Sequence, residues 1–361
     1  MILFYYLILS HFLYQIRSIP NIDFSTLFNE NINEIALSNI SSEIDSALKT
    51  YGMFLISGIE WTYDKNYDNF FSSASSLFDL PLMDKEEVAI SNDNFLRGYL
   101  QMGSESGLKS VFEPKEGYAW GYEWGNSSFE KSNCMEVDNI WPLRFNHSDR
   151  IVLNKLYSLK AELSNIIAKL ITKYLIKESI INEYENDFQT GGDKISLMRL
   201  FHYFPSNSVT SSFKREGTDQ SLGSSAHTDW GFITIILQDD CGGLQFLHND
   251  VWESVDPLPG SLVVNGGDYL RLLSRGRYIS PIHRVLSPID RERLSFVFFY
   301  YPGFYSRIPP AMNFLSEEID YNNNKVQEEY NTFISDPSNI SSSIVFGDYV
   351  MKKWREVLRS Y

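Results

Sequence analysis

Residues 231–238 read GFITIILQ, a run of β-branched and large apolar residues that comes shortly after the triplet His227-Thr228-Asp229. Similar short runs follow one another through the second half of the chain, and Gly, Pro, Asn and Asp separate them. This pattern is typical of an all-β sandwich, jelly roll or barrel. The other runs are ISLMRLFHYF (195–204), GGLQFLH (242–248), WESVDP (252–257), SLVVNGG (261–267) and RLSFVFFYY (293–301).

The first half of the chain carries mainly helical patterns. Over about residues 148–177 apolar residues recur every three or four positions, which predicts one long helix with Ser148 as its N-cap. Residues 92–142 show no regular pattern. Weaker patterns predict helices over 31–50, 66–80 and 324–361 and short strands over 19–24 and 53–56.

The amino-acid composition limits the classes of protein to which the chain can belong. The chain has 361 residues, of which 43% are hydrophobic, so it can bury a large core. Its 31 basic and 46 acidic residues give a net charge of -15, and so acidic a surface repels the phosphate backbone of nucleic acids. Two cysteines, Cys134 and Cys241, are too few for a disulfide framework or a cysteine-built zinc site.

Three residues are candidate metal ligands. His227 and Asp229 are two positions apart, so on a strand both side chains point to the same face. Taken alone, such a triplet is more often a surface pair. His283 lies 54 residues after Asp229, again in an extended pattern. Two histidines and one carboxylate on neighbouring strands are the ligand set of a facial triad, which leaves coordination positions open and suits non-haem Fe(II).

Arg293 and Ser295 are candidate anion-binding residues. They directly precede the apolar run 296–301 and would share one strand face. The planar guanidinium of an arginine matches a carboxylate in a bidentate manner, and a serine hydroxyl adds a further donor. The alternative interpretation of Arg293 is a buried structural ion pair.

Around these residues, from about residue 19 to residue 355, the sequence resembles the 2-oxoglutarate- and Fe(II)-dependent dioxygenases of the isopenicillin N synthase-like class. Residues 199–205, RLFHYFP, align without gaps with the family's R-L-N-Y-Y-P-P stretch and differ from it at positions that include Phe201 and Phe204. Further family landmarks follow in order, namely Ile19-Pro20, Tyr51-Gly52-Met53-Phe54, Phe78-Asp79-Leu80-Pro81, Arg97-Gly98-Tyr99, Lys115-Glu116-Gly117, Asn139-Ile140-Trp141-Pro142, Gly243-Leu244-Gln245, Pro259-Gly260, Val264-Asn265 and Gly276-Arg277-Tyr278.

The resemblance implies an α+β fold with a mainly-β core, a distorted double-stranded β-helix (jelly roll) flanked by helices. We expect five parts along the chain. They are an apolar N-terminal segment (1–18), an N-terminal dioxygenase region (19–150), a long packing helix (151–190), the β-helix core (191–310) and a C-terminal helical segment (311–361).

The resemblance also implies the site. His227, Asp229 and His283 would hold Fe(II), and Arg293 and Ser295 would bind the distal carboxylate of 2-oxoglutarate. Tyr203 falls on the tyrosine that contacts this cosubstrate in the family, with an ordinary core tyrosine as the alternative. No catalytic residue beyond the metal ligands is expected.

The implied activity uses O2 and couples oxidative decarboxylation of 2-oxoglutarate to hydroxylation or a related oxidation of a small organic substrate. Two alternatives stay open: an iron oxidase of the isopenicillin N synthase type that does not use 2-oxoglutarate, and a non-catalytic jelly-roll binding module. The aromatic residues of 92–124 and the polar loop 206–225 predict a lidded apolar pocket. We expect no nucleic-acid partner.

The first residues are compatible with more than one cellular compartment. Residues 2–16, ILFYYLILSHFLYQI, are almost wholly apolar but shorter than the roughly 20 residues of a membrane span. No basic residue precedes them, and no small-residue cleavage site is clear, so either a signal segment or a helix docked on the fold fits. A ferrous site and two cysteines without an evident partner favour the cytoplasm, with secretory entry through residues 1–18 as the alternative.

Overall fold

The computed structural model describes residues 19–28, 33–91, 96–105, 112–124, 131–177, 192–206, 222–308 and 344–358. The apolar segment 2–16, most of the loop 206–225 and residues 324–343 of the predicted C-terminal helices lie outside these residues. The helices of the described part are α1 (Glu34–Thr50), α2 (Lys65–Phe78), α3 (Leu82–Glu86), α4 (His147–Lys177), α5 (Asp268–Leu273) and α6 (Phe346–Leu358).

Polar side chains fix where the long helices begin. Asn33 accepts a hydrogen bond from the backbone N–H of Ala36 at 2.8 Å at the start of α1. Before α4, the Asn146 side chain accepts from the backbone N–H of Ser148 at 3.0 Å. The prediction of Ser148 as the N-cap is therefore wrong, because the helix begins at His147 and the preceding Asn146 supplies the oxygen.

The strands form one large and one small sheet, apart from the two-residue pair β13 (Arg307–Ile308) and β14 (Ile344–Val345). The small sheet has the order β6-β11-β8-β9, and the large sheet has the order β1-β2-β10-β7-β12-β5-β4-β3. Only the β1–β2 pair of these two sheets is parallel in the described residues. The strands are β1 (Asn21–Asp23), β2 (Met53–Ser57), β3 (Gly98–Leu100), β4 (Lys115–Trp120), β5 (Leu197–Tyr203), β6 (Leu222–His227), β7 (Ile233–Gln238), β8 (Leu244–His248), β9 (Val251–Ser254), β10 (Leu262–Gly266), β11 (His283–Leu286) and β12 (Arg293–Tyr300).

The large sheet lies between the helices and the small sheet. Alternate residues of β7 belong to different apolar clusters, which is the consequence of the two-residue period of a strand. Ile235 and Leu237 pack with side chains of α1, α2 and α4, whereas Ile236 packs with Phe246 of the small sheet. The predicted mainly-β core with flanking helices is confirmed, and its interior between the two sheets receives side chains from both.

The region without a regular sequence pattern contributes two strands to one edge of the large sheet. β4 pairs with β5 and β3 pairs with β4, so the expectation of an irregular region over 92–142 is wrong at these positions. All six residues of β4 are buried, which removes the polar–apolar alternation that would mark a half-buried strand. The five-part division of the chain stays a prediction, although β1–β4 share a sheet with the strands after residue 191.

The described helices are α1 to α6. None of them combines the length and the apolar character that crossing a bilayer requires.

Candidate metal centre

Two histidines and an aspartate meet at one point between neighbouring strands of the small sheet. His227 ends β6, His283 begins β11, and the two residues are directly opposite in the antiparallel register. The Nε2 atoms of His227 and His283 lie 3.7 and 3.8 Å from the two carboxylate oxygens of Asp229. One ligand atom from each residue lies within 4.8 Å of the other two, so the three side chains could hold one metal ion.

Backbone carbonyl groups fix the orientation of both imidazoles. Nδ1 of His227 lies 2.7 Å from the carbonyl oxygen of Ser225, and Nδ1 of His283 lies 3.0 Å from that of Pro281. A carbonyl can only accept, so Nδ1 carries the proton in the neutral ring and the Nε2 lone pair is free to bind a metal.

The loop that carries Asp229 is held by β10 and the turn after it. The Asn265 amide donates to Asp229 Oδ2 at 2.7 Å, and the backbone N–H of Asp268 donates to the Asp229 carbonyl at 2.7 Å. A Cβ atom at Gly267 would stand 2.1 Å from the Gly231 carbonyl oxygen, so only glycine fits this close approach. The carboxylate is therefore presented by a rigid turn.

The surroundings of Asp229 and His227 favour the protonation states in which these two groups bind metal. Burial raises the pKa of the Asp229 carboxyl, but the adjacent His283 and His227 outweigh it and hold the pKa below its usual value. The surrounding protein atoms, and then His283, lower the pKa of His227, although 42% of its side chain remains exposed. A carboxylate and a neutral imidazole are the forms that coordinate a metal.

Arg293 and Ser295 lie on β12, and Arg293 is in register with Tyr203 of β5. The guanidinium carbon of Arg293 stands 4.8 Å from the Tyr203 ring centre, and its Nη2 donates to Gln238 Oε1 at 3.1 Å. Arg293 is only 1% exposed, yet no carboxylate pairs with it in the described part of the chain. Its Nε and Nη1, and Ser295 Oγ, have no hydrogen-bond partner among the described residues. These observations argue against a structural ion pair.

Both groups of residues point into the interior between the sheets. His283 is directly opposite Phe246 as well as His227, and directly opposite residues of an antiparallel pair share a face. Phe246 and Tyr203 belong to the same interior apolar cluster. The three candidate metal ligands and the Arg293 guanidinium therefore face one space.

Charged residues from the edge of the large sheet also line this interior, and the sequence patterns did not point to them. Arg199 of β5 is paired with Glu105, with Nη1 and Oε1 2.5 Å apart. Lys115 of β4 is paired with Glu113. Glu105, Glu113 and Lys115 come from the region without a regular sequence pattern. The pairing of β4 with β5 places Lys115 on the strand next to that of Arg199.

Gln238 and Asn265, which contact Arg293 and Asp229, were also missed. The signal that could have found them is a polar amide at the end of an otherwise apolar buried strand. His202, by contrast, lies on the opposite face of β5 from Tyr203 and pairs with Glu116 through Nδ1 at 2.9 Å.

Two family models match the chain. The 2OG-Fe(II) oxygenase superfamily model matches residues 195–302, and the model of the N-terminal region of the non-haem dioxygenase in morphine synthesis matches residues 19–144. The chain belongs to the 2OG-Fe(II) oxygenase superfamily. The first match contains the candidate metal ligands together with Tyr203, Arg293 and Ser295, so the resemblance stated from the sequence is confirmed.

Curated relatives match this oxygenase either over most of its length or over a short segment. Homoarginine-6-hydroxylase of Arabidopsis thaliana is 27% identical over 303 residues, which cover 81% of this chain and 87% of the relative. The 1-aminocyclopropane-1-carboxylate oxidase homolog 7 of Arabidopsis thaliana is 51% identical over 104 residues. That local match spans only 28% of the relative's length, so it carries no statement about the relative's whole activity.

Solved structures share the fold of this oxygenase. A full-length protein of Neurospora crassa, solved in complex with alpha-KG, superposes with a TM-score of 0.71 at 22% identity, covering 93% of this chain and 96% of that chain. JOX2, in complex with 2OG, Fe and JA, gives a TM-score of 0.60 at 23% identity, covering 92% of this chain and 84% of that chain. At this identity the similarity shows the fold alone, and it confirms the predicted double-stranded β-helix.

Proposed function

We propose that this chain is a 2-oxoglutarate- and Fe(II)-dependent oxygenase that oxidises a small organic molecule. The observation that carries the proposal is the fully buried Arg293, whose Nε and Nη1 have no carboxylate partner among the described residues and face the same interior as His227, Asp229 and His283. A buried arginine without an anion is costly, and the carboxylate of a bound cosubstrate would supply the missing partner.

In this proposal His227, Asp229 and His283 hold Fe(II) from one side. The donor set of two imidazoles and one carboxylate suits non-haem Fe(II) and leaves positions for other ligands. When bound, Fe(II) and 2-oxoglutarate supply the oxidising chemistry, in which O2 is consumed and the oxo acid is decarboxylated to succinate as the organic substrate is oxidised.

The remaining side chains bind and orient. Arg293 and Ser295 hold the distal carboxylate of 2-oxoglutarate. The Tyr203 ring packs against the Arg293 guanidinium, with 4.8 Å between the ring centre and the guanidinium carbon. The hydrogen bond from Asn265 aims the Asp229 carboxylate at the metal. The buried walls of β5 and β12 exclude water from the reacting groups.

Other observations support the partners and the compartment. Both the Neurospora crassa protein and JOX2 were solved with 2-oxoglutarate, and JOX2 also with Fe and a small organic ligand, JA. The net charge of -15 disfavours a nucleic-acid substrate. Cys134 and Cys241 are free thiols, which together with a ferrous site favours the cytoplasm.

Succinate release tests the proposal. Protein supplied with Fe(II), 2-oxoglutarate, O2 and a panel of small molecules should release one succinate for each molecule of substrate oxidised. Oxidation of a substrate without succinate would indicate an iron oxidase that does not use 2-oxoglutarate. Failure to bind either Fe(II) or 2-oxoglutarate would favour a non-catalytic binding module.

A further inference from the structure

An ion pair extends the interior face of β5 beyond the residues assigned to the cosubstrate. Arg199, Phe201 and Tyr203 are two positions apart from one another and therefore share a face. Tyr203 lies under Arg293 at the cosubstrate end, and Arg199 lies at the far end, where it is joined to Glu105. The pair thus belongs to a part of the wall that the metal and the cosubstrate do not use.

This pair is connected through Trp354 to the segment that carries Asp229. Trp354 of α6 links the two, because its ring stands 5.1 Å from the Arg199 guanidinium carbon and 4.8 Å from the ring of Trp230, which directly follows Asp229. The His227 imidazole is also close enough to Glu105 that a positive charge on the ring would lower the pKa of the Glu105 carboxyl. A molecule bound next to the metal ligands would therefore be in reach of the pair.

In the neighbouring pair, Glu113 and Lys115, both carboxylate oxygens of Glu113 already have partners in the protein. Glu113 Oε1 accepts a hydrogen bond from the backbone N–H of Ser225 at 2.7 Å, and its Oε2 pairs with Lys115. Both side chains are buried. These two residues tie β4 to β6 and close one side of the interior.

The Glu105–Arg199 pair, in contrast, has a side chain that a ligand can reach. Glu105 is 21% exposed at its side chain, and only its Oε1 has a partner within the described residues. Arg199 is buried with its guanidinium near the rings of Phe201 and Trp354, and its Nε has no hydrogen-bond partner in the same part of the chain. The accessible member of the pair is therefore the carboxylate.

Glu105 is ionised at neutral pH. Burial raises the pKa of its carboxyl, but the charges of Arg199 and Lys115, with the hydrogen bond from Arg199, bring the pKa below its usual value. An ionised carboxylate is an acceptor only, and its strongest partners are N–H donors, above all charged ones.

We propose that Glu105, oriented by Arg199, is the substrate-recognition residue of this site and that the substrate is a small molecule with a hydrogen-bond-donating nitrogen. This inference rests on the proposed oxygenase function. The donor is an ammonium or guanidinium group or a neutral amide N–H, since both present the same chemistry to a carboxylate. The prediction of a lidded apolar pocket is accordingly revised to a pocket in which a charged residue binds the substrate.

Recognition by a partly buried carboxylate is selective. A site that hydrogen-bonds a substrate N–H rejects an analogue without it strongly, because the acceptor is left without a partner. A ligand with a carboxylate at the same position would meet the like charge of Glu105. Arg199 acts here as a positioning residue, because its Nη1 holds the carboxylate in place.

Equilibrium binding tests the inference without requiring turnover. The full chain is loaded with Fe(II) and 2-oxoglutarate in the absence of O2 and titrated by calorimetry. The probes are arginine and hexylamine as cations, hexanamide and uracil as neutral N–H donors, and hexanoate as a nitrogen-free compound. Glu105→Gln is compared with Glu43→Gln, which removes an exposed carboxylate of α1.

We expect at least one nitrogen probe to bind ten or more times more tightly than hexanoate, and Glu105→Gln to weaken that binding by at least tenfold. Glu43→Gln should leave it unchanged. Glu105→Gln should weaken the binding of the cations more than that of the amides, because a glutamine still accepts a hydrogen bond but no longer attracts a charge. Circular dichroism and the thermal midpoint report whether Glu105→Gln folds. If it does not, Arg199→Lys should weaken the same probe by releasing Glu105.

Tighter binding of hexanoate than of every nitrogen probe, no binding of any nitrogen probe, or equal affinity in wild type and the folded variant would overturn the inference. Failure of the oxygenase proposal has a different signature. It would appear as a wild-type protein that does not bind Fe(II) or 2-oxoglutarate in the same calorimeter before any probe is added.

Discussion

His227 and His283 stand directly opposite each other on antiparallel strands, with their ring centres 4.4 Å apart. Each ring is oriented by a backbone carbonyl two residues earlier in the chain. Since the two Nε2 atoms then face the Asp229 carboxylate, the sheet register itself assembles the three ligands. The other side of the ion would remain available for cosubstrate and O2.

Asn265 should control how well Asp229 binds iron. Its amide donates to Asp229 Oδ2 at 2.7 Å, and Asn265→Ala removes the only side-chain hydrogen bond that Asn265 makes in the described residues. We expect the Fe(II) dissociation constant to rise by about tenfold or more, as is usual when a partner of a metal ligand is lost. Calorimetry with Fe(II) under anaerobic conditions measures it.

Because Asn265 is fully buried, the same substitution should lower the free energy of unfolding by about 1–3 kcal/mol. Urea denaturation of the apoprotein separates this loss from the change in iron affinity. Asn69→Ala, at an exposed position of α2, is the control. Iron affinity equal to that of wild type would show that Asn265 only stabilises the fold.

Arg293→Lys should weaken the binding of 2-oxoglutarate far more than the binding of iron. A lysine keeps the positive charge but loses the planar fork that binds a carboxylate through two parallel hydrogen bonds. With a charged hydrogen bond contributing about 1.5–3 kcal/mol, we expect the 2-oxoglutarate dissociation constant to rise by about tenfold to a hundredfold. Titration of the iron-loaded variant measures it, and comparable losses of iron and cosubstrate affinity would contradict the role of Arg293.

Lys160 makes stability depend on pH. Its side chain is 0% exposed and donates to the carbonyls of Phe296 at 2.7 Å and Ile235 at 3.2 Å. Burial holds the pKa of this lysine well below its usual value, so the unfolded chain binds the proton more readily than the folded chain. Between the two pKa values the free energy of unfolding should therefore rise with pH, by up to about 1.4 kcal/mol per pH unit.

Lys160→Met removes this dependence. Urea denaturation at pH 7, 8 and 9 should show wild type gaining stability relative to the variant as the pH rises. Lys169→Met, at an exposed position on the same helix, is the matched control and should not change the slope. Parallel pH profiles of wild type and Lys160→Met would mean that the buried amine is protonated in both states.

Asp45 connects α1 to the segment that leads into β11. It accepts hydrogen bonds from Arg277 Nε at 2.9 Å, from Arg277 Nη2 at 3.0 Å and from the Tyr278 hydroxyl at 3.0 Å. Asp45→Asn removes the charge and one acceptor oxygen. We expect the free energy of unfolding to fall by about 2 kcal/mol. Thermal or urea denaturation checks this, and an unchanged midpoint would show that the contacts are compensated.

The ligand set was accessible from the sequence because it is carried by local features. His227 and Asp229 are two positions apart at the end of a strand, and His283 begins another strand of β-branched and apolar residues. The runs that predict β7, β10 and β12 are likewise local, since buried strands select such residues. The family resemblance then supplied the roles of Arg293, Ser295 and Tyr203.

The residues that depend on sheet pairing were not accessible in this way. Glu105 and Arg199 are 94 positions apart, and their contact exists only because β3, β4 and β5 lie side by side. The buried β4 shows no alternation to mark it as a strand. The same holds for Asn265, whose contact with Asp229 joins the end of β10 to the loop after β6, where Gly267 and Gly231 come close together.

Anaerobic Fe(II) titration of wild type and His227→Ala, followed by optical absorption, tests most directly whether the three side chains share one ion. His147→Ala, an exposed histidine at the start of α4, is the control. We predict that wild type and His147→Ala bind one Fe(II) per chain and develop a visible absorption band when 2-oxoglutarate is added, whereas His227→Ala does neither. Iron binding and the band at wild-type strength in His227→Ala would contradict the assignment of the metal centre.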